Sequence, residues 1–279
     1  MGSADPNKRM AQQSIGFIGA GQMATALAQG FVRAGLVQPE RLMASDPVPQ
    51  ARARFAQATG GQAGSDNLLV ISQADVIFLA VKPQHMAGLW GELRGRLGPD
   101  RLVVSIAAGI RLNALQEGLG EDVRLIRVMP NTPCLVNRGA CAYCLGVRAR
   151  AEDGEVAKRL LESVGIAWQV DEGVMDAATG LSGSGPAFVY VLIEALSDGG
   201  VRVGLPRTVA TALAVQTVLG AAEMVSASGE HPAILKDRVA SPGGTTIAGL
   251  QALENGGFRA AAMAAVQAAA QRSAELGAR

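Results

Sequence analysis

The run Ser14-Ile-Gly-Phe-Ile-Gly19 passes directly into Gly19-Ala-Gly21-Gln-Met23, and a helical pattern carried by Leu27, Phe31 and Val32 follows as far as Gly35. A short apolar strand that turns on glycine into an amphipathic helix constrains the fold strongly. The turn needs backbone free of bulky side chains, and it aims the helix N-terminus, with its unpaired amide N–H groups, at whatever lies beyond the strand end. Such a place receives a phosphate-bearing ligand. It also favours a parallel sheet, because the helix carries the chain back before the next strand begins.

The following pattern agrees. Arg41–Ser45 reads as a second strand, Pro47 and Pro49 break the chain, and Ala51–Thr59 reads as a helix ended by Gly60-Gly61. Val76–Val81 (VIFLAV) is a continuous apolar run, as expected of a strand buried on both faces, and Leu102–Ile106 and Arg124–Val128 read as further strands. Strands alternating with helices predict an α/β Rossmann domain built on a mostly parallel, doubly wound sheet. Beyond Asp171-Glu172-Gly173 helical patterns dominate, over 174–180, 186–203, 206–227, 231–239, 245–255 and 257–277. Pro186, Pro206 and Pro232 are placed in first turns, where a missing N–H costs nothing. The expected organisation is a nicotinamide-nucleotide domain over 10–171 and an all-α domain over 172–279. The long apolar helices of the second domain imply faces covered by another subunit. Residues 1–9 are polar, precede Met10, and are set aside as a leader.

The 279 residues are 49% hydrophobic and carry a net charge of +1, with Lys and Arg scattered. This disfavours nucleic acid and anionic membrane as partners. The uncharged stretches 177–193 and 208–222 are interrupted or too short to read as membrane spans. No secretory pattern is present, so the expected location is cytoplasmic. Cys141-Ala-Tyr-Cys144 has the spacing of a metal or redox pair, but it stands in a strand-like run, Ala140–Leu145, and the chain has only Cys134 and two histidines besides. Reduced, half-buried thiols and no metal are expected.

Gly19, Ala20, Gly21, Gln22 and Met23 form the nucleotide loop, and Ala24 stands where a third glycine is common. At the end of the second strand, Asp46 is the signal for NADH, whereas Ser45 with Arg52 and Arg54 is the signal for NADPH; both cofactors remain open. Ala80-Val81-Lys82-Pro83, Ala107-Ala108-Gly109 and Met129-Pro-Asn131-Thr-Pro133 follow later strands. Ligands bind outside the carboxyl ends of parallel strands, so these loops are further cofactor candidates. A second site lies at Ser241-Pro-Gly243-Gly244-Thr245-Thr246. Its glycines and a following helix start gather amide N–H groups suited to a small anion such as a carboxylate. Ser241 equally suits a helix cap.

With these motifs, and with Gly180-Leu-Ser-Gly-Ser-Gly-Pro186, Asp198-Gly-Gly-Val201, Gly204-Leu-Pro206, His231-Pro232 and Leu235-Lys-Asp237, the chain resembles pyrroline-5-carboxylate reductase over essentially all of 14–277. The resemblance implies reduction of a cyclic imine, 1-pyrroline-5-carboxylate, to L-proline by NADPH, with NADH possible, in a homodimer that can assemble further to a decamer. It implies cofactor contacts at Gly19–Ala24, Asn67, Ala80–Lys82 and Ala107–Gly109. It maps the substrate carboxylate to Ser241, Gly243, Gly244 and Thr245, and Thr246 to the ring nitrogen. The residue after Ser45 is often a small polar one in the family, and here it is Asp46.

The chemistry fits. A protonated imine is already electrophilic, so the protein must mainly orient it, and the helical half is poor in acids and bases. Past residue 171 its only lysine is Lys236 and its only histidine is His231. Lys236-Asp237 reads as a paired helix face, His231 as exposed or capping, His85 as a surface loop residue, and Trp90 and Trp168 as structural. Glu194 and Asp198 share a helix face without making an acid–base pair. Two rival readings are a β-hydroxyacid dehydrogenase, for which Lys236 would be the base, and a non-catalytic nucleotide sensor.

Overall fold

The computed structural model describes residues 13–277; the leader 1–9 and the first residues of the expected 10–171 domain lie outside the described residues. The chain forms two compact units, one running to Gly183 and regaining the chain from Ala269, the other Ser184–Ala268.

The first unit is built on eight strands: β1 (Ile15–Ile18), β2 (Leu42–Ser45), β3 (Gln62–Gly64), β4 (Val76–Leu79), β5 (Leu102–Ser105), β6 (Arg124–Met129), β7 (Gly139–Leu145) and β8 (Gly165–Gln169). Their order is β3-β2-β1-β4-β5-β6-β7-β8. All pairs are parallel except β6 and β7. The chain therefore reverses direction across the sheet between β1 and β4, which is the switch point where such sheets bind ligands.

Both faces are covered, as the apolar runs predict. Alternate residues of β4 feed opposite cores: Val76 and Phe78 join Phe17, Phe31 and Phe55 on one side, while Ile77 and Leu79 join Ile18, Val103 and Leu125 on the other. Phe17 lies over Phe78 with ring centroids 4.8 Å apart and tilts against Phe55 at 5.8 Å. Helix α1 (Gln22–Arg33) packs on this aromatic face through Ala24, Leu27 and Phe31. The three cysteines are buried. Cys141 and Cys144 enter opposite cores, because side chains three apart on a strand point to opposite faces. No group of metal-ligating residues occurs among the described residues.

Several local features depart from expectation. Pro49 does not break the chain but opens helix α2 (Pro49–Thr59) at its first turn, where proline needs no N–H partner. Pro206 precedes, rather than begins, the helix Arg207–Ser228. The edge strands β3 and β8 and helices α3 (Asn67–Gln73), α4 (Met86–Leu93), α5 (Leu112–Leu119) and α6 (Ala151–Glu162) are additional to the strands and helices read from the sequence. Trp168, on edge strand β8, is 69% exposed, so it does not serve the core. Trp90 does pack: a side chain at Gly118 would fall 2.6 Å from its indole. Gly180 lies in a π-helical turn, Thr179–Gly183, a feature frequent at functional sites.

The second unit contains four helices, Gly185–Arg202, Arg207–Ser228, Pro232–Val239 and Thr245–Asn255, and most of a fifth, Phe258–Gly277. The first two pack closely: a side chain at Gly200 would approach Ala210 to 3.1 Å, and Ser197 bonds Thr211 at 2.7 Å. Asp198 pairs with Arg207 at 2.6 Å, a structural use of that carboxylate. Few side chains are buried, and Leu213, Leu219, Met224, Ile247 and Met263 are exposed. Among the described residues Arg207–Ser228 is the one helix long and apolar enough to cross a membrane by length and composition; it is longer than the uncharged stretch 208–222 suggests.

Candidate active site

The nucleotide loop is built as its residues require. Gly19 has φ +98°, and a side chain there would strike the Ala80 carbonyl at 2.7 Å, so only glycine lets β1 and β4 end this close together. Gly21 is the N-cap of α1, bonds no side chain, and faces open space. The first amides of α1 therefore face outward from the sheet end, with exposed Gln22 beside them. Ala24 is 1% exposed and fills the helix–strand contact that a third glycine would leave emptier.

Beside this loop lies a cleft of about 310 Å³. It gathers Met23 with the expected loops Ala80–Pro83, Ala107-Ala108 and Met129–Thr132, and adds Ile106 and Gly183. Gly183 belongs to the Gly180–Pro186 motif, and a side chain there would meet Met129 at 2.5 Å; that motif was the available signal. Gly109, at φ +76°, is not part of the cleft wall and faces Leu276 and Gly277 instead. Asn131 is buried and occupied at both ends of its amide: Nδ2 donates to the Ser182 carbonyl at 3.0 Å, and Oδ1 accepts the Ala140 N–H at 2.9 Å. It braces the cleft wall. His85 lies on a surface turn outside the cleft.

At the end of β2, Asp46 Oδ2 accepts the Ala20 N–H at 2.9 Å and Oδ1 accepts the Val48 N–H at 2.8 Å. Arg52 donates to the Asp46 and Pro47 carbonyls at 2.8 and 3.1 Å. Buried Ser45 bonds Asn67 Oδ1 at 2.6 Å, and Asn67 Nδ2 donates to Glu92 at 2.8 Å. Ser45, Asp46 and Asn67 thus stand together. Glu92, which orients the Asn67 amide, had no sequence signal.

In the second unit, Ser241–Thr246 forms a turn ahead of helix Thr245–Asn255. Gly243 has φ +66°, a conformation that favours glycine. The Gly244 N–H donates to the Ser241 carbonyl at 3.1 Å, and Gly244 itself is the N-cap, with no side-chain cap. Ser241 is therefore not the cap residue. A side chain at Gly244 would meet Ser241 Oγ at 2.2 Å. The first-turn amides of Thr245, Thr246 and Ile247 have no intrahelical acceptor. His231 caps its own helix, Nδ1 accepting the Ala233 N–H at 3.2 Å. Lys236 pairs with Asp237 at 2.5 Å and is not a buried base.

The thiols titrate unequally. The hydrogen bond from Cys141, 3.8 Å away, holds Cys134 down at about 7 against the opposing effect of burial, and the same bond pushes Cys141 up. Burial raises Cys144 to about 11. These groups lie in the cores.

Two family profiles match the chain: "Pyrroline-5-carboxylate reductase dimerisation" over residues 172–276 and "NADP oxidoreductase coenzyme F420-dependent" over 14–109. Pyrroline-5-carboxylate reductase of Arabidopsis thaliana is 50% identical over 262 residues, covering 94% of this chain and 95% of the relative. The enzyme of the same name from Methanosarcina acetivorans is 46% identical and covers 96% and 99%. The crystal structure of Plasmodium falciparum pyrroline carboxylate reductase with NADP bound superposes with a TM-score of 0.87 at 36% identity, over 96% of this chain and 99% of that one. With its helical unit matched by the dimerisation profile and 94% of its length matched at 50% identity, the chain belongs to the pyrroline-5-carboxylate reductase family.

Proposed function

We propose that this protein reduces 1-pyrroline-5-carboxylate to L-proline with NADPH, NADH being the weaker donor. The observation that carries the reading is that the chain holds both an uncapped α1 N-terminus on a glycine loop and, in its other unit, an uncapped helix start at Gly244. One suits a pyrophosphate and the other a carboxylate. The donor site fits the cofactor: the Gly19 approach leaves no room for a Cβ, the α1 amides are free, and the adjoining cleft is lined mostly by small and apolar residues. When bound, the nicotinamide supplies the hydride that reduces the imine carbon.

The chain's own residues orient and exclude. Met23, Ala80, Val81 and Ala107 supply an apolar wall against water, and Lys82 a cation at its rim. Gly19–Ala24 hold the phosphates, while Ser45, Asp46 and Asn67 meet the ribose end. At the second loop the carboxylate falls to the amides of Thr245 and Thr246, with Gly243 and Ser241 beside them, since the Gly244 amide is spent on the turn. The Thr246 hydroxyl bonds the ring nitrogen. No lysine or histidine base is needed, which supports an imine substrate over an alcohol.

The exposed apolar faces of the second unit support a homodimer that covers them, with further assembly to a decamer. Arg207–Ser228 serves that interface rather than a membrane, and a cytoplasmic location suits the reaction. The unit that ends at Gly183 and regains the chain at Ala269 takes the cofactor task, and Ser184–Ala268 takes the carboxylate and self-association. The test follows nicotinamide absorbance with pyrroline-5-carboxylate and each reduced nucleotide. Turnover with a preference for NADPH is expected. Cofactor binding without turnover would establish a sensor, and nucleotide reduction by a β-hydroxyacid would establish the dehydrogenase.

A further inference from the structure

The chain between β5 and helix α5 (Leu112–Leu119) carries Ala107 and Ala108 into the cofactor cleft, and it is gripped from behind. Glu172 Oε1 accepts the Leu112 N–H at 2.6 Å and lies 3.3 Å from Arg127, which is 3% exposed. Asp176 faces the same arginine at 3.7 Å and Arg111 at 3.6 Å. The grip is completed by the far end of the sequence. Ser273, 6% exposed, donates its hydroxyl to Asp176 Oδ1 at 2.7 Å. One turn on, the chain at Gly277 is so close to Gly109 that a side chain there would fall 2.8 Å from the Gly109 carbonyl. A side chain at Gly109 would in turn meet Leu276 at 3.6 Å. These residues all belong to the first unit, which regains the chain at Ala269.

A bare loop that must meet a ligand with its backbone loses affinity if it is free to move, because binding must then order it. We propose that Ser273, acting through Asp176, and Gly277, packed on Gly109, are positioning residues that hold the Ala107–Gly109 loop in its cofactor-binding conformation. The last turn of the chain is thereby part of the dinucleotide site although it touches no cofactor. This rests on the reading of the cleft as a nicotinamide-nucleotide site.

The test compares Ser273→Ala, Ser273→Thr and Gly277→Ala with the wild-type full chain. Calorimetric titration with NADP+ gives affinity without turnover, and steady-state rates give the KM for each substrate. Ser273→Ala and Gly277→Ala are expected to weaken NADP+ binding and raise the NADPH KM by roughly fivefold, about the net worth of one hydrogen bond. The pyrroline-5-carboxylate KM should move less than about twofold, and Ser273→Thr, which keeps the hydroxyl, should restore binding. Unchanged NADP+ affinity in both variants, with only a lowered Tm, would overturn the proposal and leave a structural clasp. Failure of the wild-type protein itself to bind NADP+ would instead overturn the cofactor reading.

Discussion

Asp46 turns its carboxylate back onto the nucleotide loop, accepting the Ala20 N–H at 2.9 Å. With the Val48 N–H on its other oxygen, its charge is partly answered by backbone dipoles rather than reserved for a ribose hydroxyl. The side chain still stands beside the expected ribose end. Asp46→Ser should therefore raise the ratio of NADPH to NADH catalytic efficiency by roughly tenfold, the order of one partly screened charge a few ångströms from a phosphate. An unchanged ratio in parallel assays would remove Asp46 from cofactor choice.

Thr246 lies in the first turn of a helix whose first amides are uncapped, and its hydroxyl is the polar group assigned to the imine nitrogen. Thr246→Ala should lower kcat by about ten- to a hundredfold, while Thr246→Ser retains most of it. Melting temperature should scarcely move, since the residue lies at a partly exposed helix start. A full-rate alanine variant would end this role.

Gly30 lies inside α1, where alanine would ordinarily stabilise a helix by up to about 1 kcal/mol. Here a Cβ would sit 2.1 Å from Val164 Cγ1. Gly30→Ala should destabilise by roughly 1–3 kcal/mol, read by denaturant unfolding, and Val164→Ala added to it should recover part of the loss. Additive losses in the double variant would argue against that contact.

Cys144 stays protonated in the fold up to about 11, against an ordinary value of 9.0. Its pKa is raised on folding, so the stability it supports is whole below pH 9 and declines as pH rises toward 11. Replacing it by alanine costs packing at every pH, but it should flatten the fall in stability across this window. An identical slope in both proteins would count against a buried neutral thiol.

Leu219 is 51% exposed on the apolar helix Arg207–Ser228. Leu219→Glu would bury a charge if a second copy covers this face, at a cost of several kcal/mol. Light scattering should then show a smaller assembly than the wild type, with the first unit still folded. An unaltered mass would place the subunit contact elsewhere.

The central strands were legible because both of their faces are buried. Ile15–Ile18, Val76–Leu79 and Leu102–Ser105 are apolar but for Gly16 and Ser105, and such a run is a local property. The glycine turn after β1 and the glycine loop before Thr245 were legible for a related reason: backbone freedom is written in the residue itself. The edges were not. Gln62-Ala63-Gly64 has no strand pattern and becomes a strand only by pairing with Met43–Ser45. Gly165–Gln169 likewise depends on β7.

The direction taken by each polar group was decided by tertiary structure. Asp46 carries a ribose-binding signal, yet one of its oxygens is taken by a donor from a loop 26 residues earlier. Asn131 looks like a cofactor ligand, but Ser182 and Ala140 claim its amide. The grip of Ser273 on Asp176 spans 97 residues of sequence. Periodicity and turn chemistry act between neighbours in the chain and so can be read along it. A hydrogen bond between distant segments exists only once the hydrophobic faces have packed and brought its partners within reach, and that selection belongs to the folded molecule alone.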